Sequence, residues 1–397
     1  MSVKMQSEAV NLIAAYIQAQ RGRMLQLLQQ LVDIESPTDH PEGVNRVGAI
    51  LKRELLEAGF QVQVLKESAY GDHILADYEV QGTPRVLLMG HMDTVFPLGT
   101  GWKFTMDGER AYGPGVIDMK SGDLAALFAF KALQATVGVP LSVRIFYNSD
   151  EEPGSPASRQ LIPGVADGVD WAFVLEPAEP DGHVVSTRKG VGIFRFQVTG
   201  RAAHAGQEPE KGINANIELM HQLLEAARLA RPEAGTTVNP GTIAGGTQPY
   251  VIPEFAEGAV DVRVQTLKEQ QRIEKAFQAL PASQVVPGAR LVVTGGFHRP
   301  PMPETPGTLF LKDVYGQACA CAGQAVVFGG SGAVSDGNNI AAAGVPVLDG
   351  VGPVGGRLHS RDEYLELESF FQRTVALATS LYLLGGKADA AGSGTFS

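Results

Sequence analysis

The sequence predicts an α/β protein in two parts: a doubly wound, mostly parallel sheet flanked by helices, and a smaller ferredoxin-like α+β domain inserted into it. Three observations predict this. Strands and helices alternate from the N-terminus to about Thr187, the pattern of βαβ units. From about Arg188 the order becomes strand, helix, strand, strand, helix, strand, which is the split β-α-β arrangement. After 300–306 the first texture returns. The 397 residues exceed what one compact core organises, so a larger domain is placed at 1–187 and 299–397 and a smaller one at 188–298.

Each element has a local cause. Apolar residues at helical spacing (Ile13, Ile17, Met24, Leu27, Leu28, Leu31) predict a helix over 8–35, closed by Ser36-Pro37. A second helix, 44–58, stops at Gly59, a favoured C-cap residue. Strands are expected at 61–65, 73–78 and 85–89, a helix at 124–133, and strands at 142–147 and 172–175. In the inserted part the strands are 192–199, 236–244, 258–265 and 290–294, with helices at 213–229 and 268–280. The return to the large domain brings helix 309–322, strands 325–328 and 345–348, and helix 365–384. The Gly-, Ala- and Ser-rich tail 385–397 is expected to be disordered.

Composition excludes several classes of function. A net charge of −11 argues against a nucleic-acid partner, which needs a basic face. No apolar run is long enough to span a membrane, and no signal-peptide pattern opens the chain. Cys319 and Cys321 lie two apart in a predicted helix, so their side chains diverge and do not pair with each other. A cytoplasmic location is the resulting expectation.

Four short motifs and one late histidine carry the chemistry. G-H-M-D-T-V-F (90–96) holds His91 and Asp93, and G-P-G-V-I-D-M-K (113–120) holds Asp118. S-D-E-E-P-G-S (149–155) holds Glu151 and Glu152, V-L-E-P (174–177) holds Glu176, and R-L-H-S (357–360) holds His359. Ligands of such sheets collect beyond the carboxyl ends of the strands. His91, residues 150–152 and Glu176 each follow a predicted strand. Singly, each motif has an ordinary reading: His91 and Asp93 as a surface pair, Asp118 as a helix N-cap, Glu151 and Glu152 as loop acids, His359 as a structural histidine. Jointly and in this order they form the carboxylate and imidazole set of a dinuclear hydrolytic metal site. Asp118 has two oxygens with which to bridge two cations, and Asp93 is placed to fix the His91 tautomer. Neighbours in an extended segment point opposite ways. One of Glu151 and Glu152 can therefore bind metal while the other stands off as general base. The same donors accept zinc, cobalt or manganese, with zinc the expectation.

These motifs resemble those of the dinuclear zinc peptidase and deacylase superfamily of glutamate carboxypeptidase, acetylornithine deacetylase and succinyl-diaminopimelate desuccinylase, from about residue 28 to 384. H-M-D-T-V-F-P (91–97) with G-W-K-F (101–104) is most similar to the bacterial glutamate carboxypeptidase branch. The resemblance implies His91 and Glu176 on one ion, Glu152 and His359 on the other, and Asp118 bridging. It implies Asp93 as the residue orienting His91 and Glu151 as general base and acid. In the inserted domain it implies that His204 of R-A-A-H-A-G stabilises the tetrahedral intermediate, that Arg263 of D-V-R binds a substrate carboxylate, and that Asn239 lines the site. It further implies a homodimer formed through an inserted dimerisation or lid domain, and a peptide or N-acyl amino acid substrate cleaved at an amide next to a free carboxylate. An N-acyl-amino-acid deacylase and a non-catalytic relative are the alternatives. Two positions depart from the pattern: Tyr250 stands before Val251-Ile252-Pro253 where relatives often carry Asn, and Ala203 precedes His204 where Ser is common.

Overall fold

The computed structural model describes residues 3–391. Helix α1 (Val3–Val32) buries Ile13, Ile17, Met24, Leu27, Leu28 and Leu31, the stripe its sequence spacing predicts. Helix α2 (Pro41–Glu57) opens on a proline, whose missing N–H costs nothing in a first turn. Then follow β1 (Gln61–Leu65), β2 (His73–Tyr78), β3 (Arg85–His91), α3 (Lys120–Thr136), β4 (Ser142–Asn148) and β5 (Trp171–Val174). Beyond the inserted segment come α4 (Pro306–Cys321), α5 (Asp336–Ala342), β6 (Val347–Leu348) and α6 (Leu367–Ala391). The sheet runs β1-β2-β4-β3-β5-β6. The four strands β4, β3, β5 and β6 are parallel, and β1 and β2 add an antiparallel edge. Helices α1, α3, α4 and α6 pack against one another, and their apolar residues join those of the sheet in one core.

The chain divides into two compact units, one of residues 1–187, 304–331 and 335–397, the other of 188–303 with 332–334. The smaller unit has the expected strand, helix, strand, strand, helix, strand order. Its sheet runs Thr237–Gly245, Phe255–Val264, Gly190–Thr199, Arg290–Arg299, every pair antiparallel. Alternate residues of Gly190–Thr199 (Phe194, Phe196, Val198) meet Leu219 and Leu223 of helix Ala215–Ala227 and Ile273 and Phe277 of helix Leu267–Ala279. Phe277 stands edge-on to Phe194 and Phe196, the favoured aromatic geometry.

Several expectations are corrected. Helix α3 begins at Lys120, not at 124, and its N-cap is Met119 with no side-chain cap bond, so Asp118 does not act as a cap. The strand expected at 325–328 forms at Phe328–Ser331, where pairing with Val184–Arg188 sets its position. Helix α6 continues through residues 385–391, whose alanines favour helix, so the expectation of disorder fails there. Residues 392–397 lie outside those described. A hairpin, Thr105–Asp107 with Arg110–Tyr112, was not anticipated. Cys319 is buried and Cys321 exposed, neither in a disulfide. Among the described residues no helix is long and apolar enough to cross a membrane.

One carboxylate ties the smaller unit's second helix to its sheet. Glu269 accepts hydrogen bonds from Arg272 (2.6 Å) and from Thr236 (2.7 Å) beside the edge strand, with Arg231 at 3.4 Å. Arg272 above all holds its carboxyl down, to about 2. A folded-state value below that of the unfolded chain stabilises the fold above about pH 4. That contribution is lost as pH falls toward 2. Glu269→Gln is therefore expected to lower the thermal midpoint at pH 7, with the gap to the unmodified protein closing as pH drops from 5 to 3. Scanning calorimetry across that range checks it, and a gap independent of pH contradicts it.

Candidate metal centre

Three parallel strands deliver acids and a histidine to one sheet edge. His91 is the last residue of β3, Glu151 and Glu152 follow β4 after Asn148-Ser149-Asp150, and Glu176 lies just beyond β5. Parallel neighbours end together, so residues distant in sequence converge. Asp118 comes from the turn before α3, shaped by Val116 N–H on Gly113 O and Lys120 N–H on Gly115 O, and its peptide bond to Met119 is cis. His359 comes from the loop ahead of α6, in the left-handed region at φ +60°.

The geometry centres on Asp118. Its Oδ1 lies 3.2 Å from His91 Nε2 and its Oδ2 3.2 Å from His359 Nε2. His91 Nε2 is also 3.9 Å from Glu176 Oε1, and His359 Nε2 is 3.4 Å from Glu152 Oε2. Two groups of donor atoms result, His91–Asp118–Glu176 and Asp118–Glu152–His359, each with its atoms within 4.8 Å of one another. Tetrahedral zinc with bonds of about 2.0–2.1 Å sets neighbouring donors about 3.3 Å apart. These spacings are of that size.

Asp93 organises the surroundings. Its Oδ2 accepts Thr38 Oγ1 (2.7 Å) and the Glu152 N–H (3.2 Å), and its Oδ1 accepts the Glu151 N–H (3.2 Å). The same carboxylate lies 3.3 Å from His91 Nδ1, which also meets the Asp93 carbonyl at 3.0 Å. One buried side chain thus holds the Glu151–Glu152 loop and turns the His91 ring so that Nε2 points to Asp118 and Glu176.

Electrostatics match the donor chemistry of a cation site. Burial, and then the Asp118 charge, push the Glu176 carboxyl well up, with Glu151 adding to the effect; burial likewise raises Glu152. Burial would lower His91, but Asp118 and Asp93 override it and hold the imidazole well up. Asp118 and Glu152 lift His359 to about 10. Burial opposes ionisation of Asp118, yet His359 and His91 keep it well below the usual carboxylate range. These opposed shifts mark an excess of buried carboxylate charge that divalent cations at the same donors would neutralise. The donor set fits two such ions with Asp118 common to both.

The remaining expected residues lie in the smaller unit. His204 is exposed, and its Nδ1 accepts the N–H groups of Gly206 and Gln207, both at 3.1 Å. The neutral ring therefore carries its proton on Nε2. Arg263 Nε donates to Asp261 Oδ1 at 3.0 Å, and Asn239 is registered opposite Asp261 on the neighbouring strand. Asn239, Asp261 and Arg263 thus share one face of the sheet.

Sequence reasoning missed three buried charges around the centre. Lys120 donates to Ile34 O (3.0 Å) and Pro114 O (3.4 Å), and burial lowers its ammonium to about 8. Both oxygens of Asp123 are buried with no hydrogen-bond donor among the described residues, and burial pushes its carboxyl well up. Glu363 accepts the N–H groups of Ile117 and Asp118. Nothing local marks Lys120, Asp123 or Glu363 as buried in the sequence.

Comparison with known proteins gives concordant results. The sequence profile described as Peptidase family M20/M25/M40 matches residues 87–382. Carboxypeptidase G2 of Pseudomonas sp. (strain RS-16) is 30% identical over 376 residues, covering 91% of this chain and 89% of that protein. N-acetyl-L-citrulline deacetylase of Xanthomonas campestris pv. campestris is 29% identical over 249 residues, 59% of this chain and 64% of that protein. Among solved structures, aminopeptidase PepT from Bacillus cereus ATCC 10987 superposes with a TM-score of 0.78 at 20% identity, covering 91% of this chain and 99% of its own.

The backbone that carries Glu176 is itself confined. A Cβ on Gly122, in the first turn of α3, would overlap the carbonyl oxygen of Leu175, and one on Gly352 would overlap the Leu175 and Glu176 carbonyls. Gly→Ala in an unconstrained helix stabilises by about 1 kcal/mol. Here Gly122→Ala is expected to reverse that sign, costing about 1–3 kcal/mol as α3 retreats from the strand end. Urea unfolding of the two proteins measures the difference. An increase in stability would show that Leu175 and Glu176 are free to yield.

Proposed function

Because the chain belongs to peptidase family M20/M25/M40, we propose that this metallohydrolase cleaves an amide bond next to a free carboxylate. The reading is a glutamate carboxypeptidase-like exopeptidase that releases a C-terminal amino acid from N-acyl or peptidyl substrates. The observation that carries it is Asp118 shared between two donor groups, with Glu151 beside them on the loop that Asp93 holds. The extent of the likeness to carboxypeptidase G2 supports the choice of bond.

In this reading His91, Asp118 and Glu176 hold one divalent ion and Asp118, Glu152 and His359 the other, with zinc suited to the nitrogen and oxygen donors. Ions held there supply Lewis acidity at the scissile carbonyl and lower the pKa of a water. Glu151, outside both donor groups, takes the proton of the attacking water and returns it to the leaving amine. His204 presents its Nε2–H to the developing oxyanion, an interaction of about 3–4 kcal/mol for a single donor. Arg263 takes the substrate carboxylate on its Nη groups, since Asp261 occupies Nε, and Asn239 lines the same face.

The deacylase reading remains the alternative, favoured by the likeness to N-acetyl-L-citrulline deacetylase. The same centre cleaves both bonds and only the recognised end differs. A panel of N-acyl amino acids, dipeptides, their C-terminal carboxamides and Nα-acetyl basic amino acids separates the two. Hydrolysis of free acids but not of carboxamides, with acylated glutamates or dipeptides preferred, is the expected result. Preference for acetylated basic amino acids supports the deacylase instead. Glu151→Gln is expected to lower turnover about 10²–10⁴-fold with metal content unchanged, whereas Glu152→Gln is expected to lose metal. Metal analysis alongside turnover checks the assignment, and equal metal loss in both variants overturns it.

The smaller unit supplies a surface for a second copy of the chain. Strand Thr237–Gly245 forms the edge of its sheet, with no strand beyond it among the described residues, and is exposed at every residue but Val238. The adjoining helix Ala215–Ala227 exposes Ile217, Met220 and Leu224 on one face, and Ile243 on the strand is 60% exposed. Open edges with apolar neighbours are templates for pairing. In the proposed homodimer two such edges join and the apolar stripes cover each other. Leu224→Glu with Met220→Glu is expected to shift the mass in light scattering from dimer to monomer. A monomeric parent protein refutes the proposal.

A further inference from the structure

Among the buried groups that the reaction above does not use, Glu363 has the most specific geometry. Its side chain is buried, and one oxygen, Oε1, accepts two successive backbone N–H groups, Ile117 at 3.0 Å and Asp118 at 3.3 Å. The partners are about 245 residues away in sequence. Glu363 also closes the turn that carries His359: its own N–H donates to Ser360 O at 3.1 Å, and Ser360 N–H donates to Arg357 O at 3.2 Å. That turn needs an anchor. Arg357 and His359 both adopt left-handed backbone conformations, at φ +57° and +60°, which residues with a Cβ rarely take. His359 is the most exposed of the candidate ligands, its side chain 54% accessible.

We infer that Glu363 is a positioning residue whose buried oxygen ties the peptide of Asp118 to the loop of His359, and so sets the spacing of the Asp118–Glu152–His359 group. The inference rests on the metal-site reading proposed above. The clamp works through hydrogen-bond acceptance, not through charge. Oε2 receives no hydrogen bond among the described residues, and two N–H donors aimed at one oxygen need only a carbonyl-type acceptor. Lys120 braces the same turn from another side by donating to Pro114 O. The two donor groups depend on the clamp unequally. His91–Asp118–Glu176 touches only one end of it, whereas Asp118–Glu152–His359 includes residues at both ends.

This asymmetry defines the test. Cobalt(II) is titrated into metal-free protein and followed by its visible absorption and by calorimetry, for the unmodified chain, Glu363→Gln, Glu363→Asp and Glu363→Ala. Circular dichroism and the thermal midpoint are recorded for each. Gln keeps an acceptor at the same reach and is expected to bind both ions within about threefold of the parent. Asp, one methylene shorter, keeps the charge but loses the reach. It is expected to weaken the second ion tenfold or more while the first changes less than threefold, and Ala should match it. If Ala fails to fold, the contrast between Asp and Gln decides alone. Asp binding the second ion as the parent does overturns the clamp, as does Gln losing as much as Asp. A parent protein that takes up no second ion overturns the metal-site reading and this inference with it. Two ions in the parent with unchanged variants overturn the inference alone.

Discussion

The large unit is organised around the problem of burying Asp93, Asp118, Glu152, Glu176 and Glu363 within reach of one another. Like charges at such spacing repel strongly once water is withdrawn. Each acid meets a different answer. Asp93 takes two backbone N–H groups and the Thr38 hydroxyl. Asp118 is held between two imidazoles, and Glu363 between two successive peptide N–H groups. Burial forces the carboxyls of Glu176 and Glu152 upward. Both of these carboxylates have an oxygen in a donor group. A cation at each group would complete the electrostatics that the protein leaves open.

The sheet makes this convergence possible without long loops. Because β4, β3 and β5 are parallel neighbours, their ends lie side by side, and the donors lie at the strand end (His91) or within four residues of it (Glu176, Glu152). The strand ends also set how tightly the backbone must pass. Gly122 and Gly352 lie against the Leu175 and Glu176 carbonyls, where no side chain fits. The antiparallel β1 and β2 contribute no donor and extend the sheet away from the centre.

Much of this was legible before any coordinates. The limits of β1 and β2 and the strand-helix order of the central sheet and of the smaller unit follow from apolar spacing and turn residues, because those signals are local. His91, Glu152 and Glu176 stood out because each follows an apolar strand-like run, Asp118 and His359 by joining them in order, and the structure brings their donor atoms together. What was not legible depends on distant partners. Glu363 reads as one charge in the run R-D-E-Y, and its meaning comes from a peptide in another part of the chain. The N-cap reading of Asp118 was sound chemistry for that residue type, but the pull of His91 and His359 prevails over a cap bond. Strand Phe328–Ser331 was misplaced because its pairing with Val184–Arg188, not its own propensity, sets its position.

The split of the large unit across the chain has a consequence for synthesis. Helices α1 and α3 bury their apolar faces partly against α6, which begins at Leu367. On a ribosome, N-terminal domains ordinarily complete before those that follow. Here the inserted unit, whose residues are contiguous apart from 332–334, has nearly its whole set of contacts while the surrounding unit still lacks its closing helix. The nascent chain thus carries the side of α1 that α6 covers exposed for most of translation. A stalled or truncated product would retain a folded insert on a sticky, unfinished host, an invitation to chaperones and to proteases.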